Sequence, residues 1–312
     1  MKLPVLLSLL ILISCAVPEE PPSPVEGPYL GQTAPGKTAE IFAPELISKN
    51  KAEGCSGFLK NGSVFVWSTM DPDSDWRYKP TYWMELRDGR WTEPKPVPFN
   101  DLSPYNFTVA PDDKSLYFTS IRPPEDHSIL LEQSNIWVVI KTTDGWSEPL
   151  MLGPSINTDE YYENYPSITA DGTIYYMSRR EAGVGKTDIW RSRWANGIYK
   201  EAENPGPVIN TEESDQDPFI APDESYLIVC LDKEGGFGGY DLFITFRTMD
   251  GGWTSPANMG EAVNGPGPEF RPYVTPDGRY LFFTRRLNNK KHGDIYWVDA
   301  RIIEDLKSQL DI

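Results

Sequence analysis

The sequence predicts an all-β fold, a β-propeller of five four-stranded blades closed by an N-terminal strand, and three observations carry that reading. One unit recurs five times, each copy holds short aromatic strands bounded by turn residues, and the last copy lacks a strand that the N-terminus can supply. The turn and second strand of the unit appear as Lys60-Asn61-Gly62 with Val64-Phe65-Val66-Trp67, then as Pro111-Asp112-Asp113 with Leu116-Tyr117-Phe118. They return as Ala170-Asp171-Gly172 with Ile174-Tyr175-Tyr176, Pro222-Asp223-Glu224 with Tyr226-Leu227-Ile228, and Pro276-Asp277-Gly278 with Tyr280-Leu281-Phe282-Phe283. From Asn61 the turns advance by 51, 59, 52 and 54 positions, the length of a four-stranded blade.

A third strand follows in each copy: Thr81-Tyr82-Trp83-Met84, Asn135-Ile136-Trp137-Val138, Asp188-Ile189-Trp190, Asp241-Leu242-Phe243 and Asp294-Ile295-Tyr296-Trp297. A fourth is announced by Asp88-Gly89-Arg90-Trp91, Asp144-Gly145-Trp146, Asn196-Gly197-Ile198-Tyr199 and Asp250-Gly251-Gly252-Trp253. The fifth copy has none and runs instead into residues 301 to 312, which read as a short amphipathic helix. The stretch Thr38-Ala39-Glu40-Ile41-Phe42 matches the missing strand, so the two ends of the chain are expected to close the ring and cover an exposed sheet edge. Six blades are the alternative, should the N-terminal segment build more than one strand.

Units with Pro-Asp-Gly turns, aromatic second strands and Asp-Ile-Tyr/Trp third strands resemble the WD40-like (PD40) repeats of TolB-type propellers, over about residues 37 to 300. The resemblance implies an exported propeller of the cell envelope that engages a protein or ligand. Blades one and two depart from the pattern, lacking Pro-Asp-Gly and Asp-Ile, and the additional domain of TolB has no counterpart here, so TolB's own partners do not carry over.

The chain begins Met1-Lys2 and continues in an uncharged apolar run from Leu3 to Ser14, too short for a permanent membrane helix and suited to a signal peptide. Leu12-Ile13-Ser14-Cys15 resembles the bacterial lipobox, which makes Cys15 the expected acylation site, and residues 15 to 36 read as a Pro-rich tether. A lipoprotein of the outer membrane, facing the periplasm or the cell surface, is the expected location. The formal net charge is −17; without Lys2 the mature chain sets 28 Lys and Arg against 46 Asp and Glu, a formal −18. That balance excludes nucleic acid and anionic lipid as natural partners and leaves the lipid anchor as the membrane contact.

Counting back from each turn pairs residues across the first and second strands. Glu163 falls opposite Arg180, Glu269 opposite Arg286, Ser103 opposite Arg122, Glu53 opposite Met70 and Asp215 opposite Asp232. All lie at one mouth of the central channel. Asp215, Asp217 and Asp232 are expected to cluster without an arginine, and like charges so placed call for a cation or a partner's amine. With Arg122, Arg179, Arg180, Arg285 and Arg286 nearby, the mouth is the expected binding site for an envelope protein, a small ligand or a glycan.

No catalytic set is assigned and no cofactor is expected, Ca²⁺ at the acidic cluster being the candidate metal. Asp71-Pro72-Asp73-Ser74-Asp75 alternates oxygens like a calcium loop but has Trp76 and Tyr82 where an EF-hand needs Gly and Glu. The alternative function is a glycoside hydrolase using channel carboxylates. Cys55 and Cys230, expected on inner strands across the channel from one another, are too far apart to pair and read as buried free thiols.

Overall fold

The computed structural model describes residues 25–48, 52–70, 80–126, 128, 130–286 and 293–310. The signal segment, Cys15, the first part of the tether, the acidic loop Asp71–Asp75 and both histidines lie outside these residues.

Five antiparallel sheets form the blades, and the first strand of each touches the next, with the fifth touching the first, so the ring is closed. Blade one is built from Ala52–Leu59, Val64–Met70 and Thr81–Arg87, with Arg90–Trp91 and Lys95–Pro96 on its outer edge. Blade two runs Tyr105–Val109, Ser115–Ser120, Asn135–Ile140 and Leu150–Met151. Blade three has Glu163–Ile168, Ile174–Ser178 and Asp188–Ser192, its outer edge reduced to a bridge between Arg191 and Glu203. Blade four follows with Asp215–Ile220, Tyr226–Leu231, Asp241–Phe246 and Ala257–Asn258. Glu269–Val274, Tyr280–Arg286 and Gly293–Asp299 make blade five, whose outer strand is Glu40–Ile41, paired as Glu40 with Trp297 and Ile41 with Tyr296. The expected closure by strand exchange is therefore present, and five blades, not six, form the ring. A helix, Arg301–Gln309, ends the fold and buries Ile302 and Ile303.

The N-terminal strap does more than supply two paired residues. Tyr29, Phe42 and Ile47 are buried between blades five and one, where Phe42 meets Phe58, Phe65, Phe282 and Trp297 at ring separations of 5.9, 5.4, 5.1 and 5.1 Å. Further back, Glu26 bridges to Arg90 and the Trp91 indole donates to the Gly27 carbonyl at 2.7 Å. The chain thus leaves the domain beside the outer hairpin of blade one. From there the strap crosses the seam to pair with blade five.

One repeated device escaped the reading of the sequence. In the loops between blades, Asn157, Asn210 and Asn264 each accept from and donate to the backbone of the preceding third strand, at Ile136, Ile189 and Leu242, over distances of 2.7 to 2.9 Å. A side-chain amide mimics a strand there, satisfying the buried N–H of Ile136, Ile189 and Leu242 and adding a second donor to the carbonyls of Ile136 and Leu242, which Leu152 and Met259 also reach. Asn100 does half of this for Thr81, and Ser48 does so for Ile295. Asp188 and Asp241 work alongside, accepting from the backbone of the loops before them, at Gly185 (2.9 Å) and Phe237 (2.7 Å).

Candidate functional site: the channel mouth

All five first strands carry a β-bulge at the same place. The inserted residue has positive φ in every copy: Cys55 (45°), Asn106 (48°), Tyr165 (50°), Asp217 (50°) and Arg271 (57°). Left-handed backbone at non-glycine residues costs energy, about 1–2 kcal/mol each, and recurs fivefold only if the fold holds it in place. In blades three to five the bulge residue precedes a proline, Pro166, Pro218 or Pro272. The channel-facing edge of a first strand has no partner strand, so the N–H that proline lacks is not missed.

The bulges turn these five side chains toward the axis, where they and their neighbours enclose a void of only about 20 Å³. The Arg271 backbone N–H donates to Asp217 Oδ2 at 3.0 Å, and its guanidinium lies 6.0 Å over the Tyr165 ring. Asn106 donates to Asn164 at 2.8 Å, and Cys55 Sγ lies 3.5 Å from Asn106 Oδ1. Burial pushes the Tyr165 phenol up, with the Asp217 carboxylate adding to the effect. The channel is plugged by polar side chains.

The bulge also shifts the expected pairings by one or more residues. Glu163 stands opposite Ser178, Glu269 opposite Arg285, Asp215 opposite Leu231 and Glu53 opposite Thr69. Ion pairs form nonetheless: Arg180 reaches Glu163 at 3.3 Å, and Arg285, not Arg286, reaches Glu269 at 2.5 Å. Both carboxylates are fully buried, and each also accepts a backbone N–H, from Thr158 and from Gly265 at 3.0 Å. Asp215 repeats the arrangement without an arginine, accepting from Thr211 N at 2.7 Å. Desolvation dominates all three, carrying Glu163 and Glu269 up to about 7 and Asp215 up to about 6.

The expected acidic cluster does not assemble. Asp215 turns into its own loop, Asp217 turns to the axis beside Arg271, and Asp232 is exposed beyond the end of its strand. The bulge at Asp217 breaks the alternation that would have aligned the first two. Among the described residues no group of three His, Cys, Asp or Glu side chains is placed to hold a metal. Cys230 belongs to the second strand of blade four, not to an inner strand, and both it and Cys55 are buried free thiols. Of the expected arginines, Arg179 lies 5.3 Å over the Tyr162 ring, and Arg122 donates its backbone N–H to Ser120 at 2.9 Å.

What the mouth does hold is a cavity of about 110 Å³ above the plug, between blades five and one. Glu53, Tyr165, Gln216, Arg271 and Arg286 give it polar walls, with Ser68 and Thr284 beside them. Gly54 makes room for it: a methyl at that position would stand 2.2 Å from Arg271 Nη1. Of these residues Arg286 and Glu53 were expected at the mouth, Arg286 as a binding candidate. Arg271 and Tyr165 had a legible signal, since the residue before each strand-one proline recurs with the same spacing as the turns.

No protein-family model matches the chain, and no curated protein does. Solved structures do. A glycoside hydrolase is similar at a TM-score of 0.54 and 12% identity, covering 86% of this chain and 92% of that one. This likeness shows the fold. TolB from Acinetobacter baumannii aligns at a TM-score of 0.48 and 14% identity over 79% of this chain, and a xylan β-1,4-xylosidase from Bacillus halodurans C-125 at 0.49 and 15% over 83%. The chain covers 54% of the length of each of those two proteins. Likeness of fold alone leaves function to be argued from the site.

Chemically, the mouth offers two guanidiniums, a carboxylate and an amide around a small volume. A glycosidase needs two carboxyl groups about 5–9.5 Å apart across a substrate. Among the described residues Glu53 is the one carboxylate lining the cavity, while Glu163, Asp215 and Glu269 are committed to loop backbone and arginine.

Proposed function

We propose that this protein is a non-enzymatic binding module of the bacterial envelope, anchored through Cys15, whose channel mouth receives a small polar group of a protein or free ligand. The observation that supports the site is the cavity over a plugged channel, with Arg271 and Arg286 facing Glu53 and Gln216. Paired guanidiniums suit a carboxylate or another planar acceptor, and Glu53 suits an adjacent amine or hydroxyl. The anchor rests on the lipobox-like Leu12-Ile13-Ser14-Cys15.

A thermal-shift screen of amino acids, short peptides and oligosaccharides tests the site. Ligands that raise the melting temperature of the wild type should lose at least tenfold in affinity in Arg286→Gln and in Glu53→Gln; hits that bind both variants unchanged would remove the mouth as the site. Turnover of chromogenic glycosides by the wild type, abolished in Glu53→Gln, would instead establish the hydrolase reading. Radiolabelled palmitate should enter the wild type and not Cys15→Ser.

A further inference from the structure

The opposite face of the ring carries a larger cavity, about 490 Å³, between the hairpin turns and strand ends of blades three and four. Asp171, Thr173, Arg191, Arg193, Glu224 and Arg247 line it. In a chain of formal charge −17, this wall sets three arginines against two acids.

The arginines are held in place before any ligand arrives. Glu224 is the hub: its carboxylate accepts from the Tyr175 hydroxyl at 2.8 Å and from Arg247 at 2.6 Å, and lies 3.8 Å from Arg191. Arg247 also stacks over Trp253 at 4.1 Å. Glu224 occupies the turn position where blades three and five carry Gly172 and Gly278, and it adopts φ 56°, a conformation glycine takes freely and glutamate does not. The turn gains nothing from glutamate; the arginines beside it do.

Donor capacity remains after these contacts. Arg191 also donates to Glu203 at 2.8 Å; its side chain is 15% exposed, and its buried Nε has no hydrogen-bond acceptor. The Arg193 side chain is 60% exposed and lies 3.6 Å from Glu203. Asp171 does not oppose an incoming anion at full strength, because Thr169 Oγ1 (2.5 Å) and Thr173 N (3.0 Å) already donate to it. At the seam of blades five and one the strap fills the corresponding position, with the Tyr29 hydroxyl on Asp277 at 3.1 Å.

We propose that this cleft is an oxyanion site, independent of the channel mouth, that takes the carboxylate, sulfate or phosphate group of a small ligand on Arg191, Arg193 and Arg247. Preorganised guanidiniums bind such groups by charge-assisted, often bidentate hydrogen bonds, and little ordering cost is left for the binding step. A volume of this size admits a ligand as large as a monosaccharide around that group.

Calorimetric titration of the full chain at constant ionic strength tests the proposal, using glucuronate, inorganic sulfate, inorganic phosphate and, as the neutral blank, glucose. At least one anion should bind saturably and glucose should not. Glucuronate alone identifies a carboxylate ligand, and sulfate or phosphate alone a tetrahedral one. Arg193→Gln should weaken binding at least tenfold, whereas Lys114→Gln, which removes a positive charge from the turn of blade two, should leave it unchanged. Arg193 is exposed, so its variant should melt with the wild type and the comparison is then one of binding. No saturable anion binding, equal affinity in Arg193→Gln, or loss in Arg286→Gln instead, which would move the ligand to the mouth, overturns the proposal.

Discussion

Phe42→Ala is the sharpest test of how the ring is closed. The Phe42 ring is wholly buried and touches four aromatic rings, Phe58 and Phe65 from blade one and Phe282 and Trp297 from blade five. Its backbone N–H donates to Ile295 at 2.8 Å, and the preceding residues pair with Tyr296 and Trp297. Removing a buried phenylalanine typically costs about 3–5 kcal/mol, from lost transfer free energy and the cavity left behind. About 4 kcal/mol is the expected loss, against a total stability for a domain of roughly 5–15 kcal/mol. Urea denaturation followed by tryptophan fluorescence reads the loss, and hydrogen exchange of Gly293–Asp299 localises it. Because the strap is the clasp, those amides should exchange faster in the variant than the third strand of blade three, Asp188–Ser192. A loss under about 1 kcal/mol, with exchange unchanged along blade five, would refute closure by the N-terminal strand.

Three further expectations follow from the same geometry. Burial raises Glu163, Asp215 and Glu269 above their unfolded values near 4, so the native state binds more protons than the unfolded chain between about pH 4 and 7. Stability therefore falls as pH rises through that window, the urea midpoint should be lower at pH 8 than at pH 5, and Asp215→Asn should flatten the difference; a midpoint that climbs with pH contradicts the assignment. Asn210→Ala strands the buried Ile189 N–H and carbonyl and should cost about 2–3 kcal/mol in chemical denaturation, an effect below 0.5 kcal/mol showing that water replaces the amide. Gly54→Ala should displace the Arg271 guanidinium, cost about 1–3 kcal/mol and weaken mouth ligands, with binding at wild-type strength counting against the role of Arg271.

Much of the architecture was legible in the residues because a propeller writes its period into the chain. Five turns near Asn61, Asp112, Asp171, Asp223 and Asp277 mark five hairpins, and the absence of a fourth strand after Trp297 together with the match at Thr38–Phe42 announces the clasp. These are local patterns, set by turn chemistry and by the need to bury aromatic strands. The site was less legible. Counting outward from a turn assumes an uninterrupted ladder, and one inserted residue per first strand, at Cys55, Asn106, Tyr165, Asp217 and Arg271, defeats the count.

The sequence by itself determined the repeat and the clasp between the chain's two ends, since each follows from local patterns of turns and strands, while the structure decided between five blades and six. Tertiary structure alone decided which acids are neutralised, that Arg271 plugs the channel over Tyr165 and beside Asp217, and that Glu224 organises arginines from two blades. Those outcomes depend on side chains from different strands and blades coming together, from Glu269 and Arg285 within one blade to Tyr165 and Arg271 two blades apart, and no local preference encodes the rotation and spacing that bring them together.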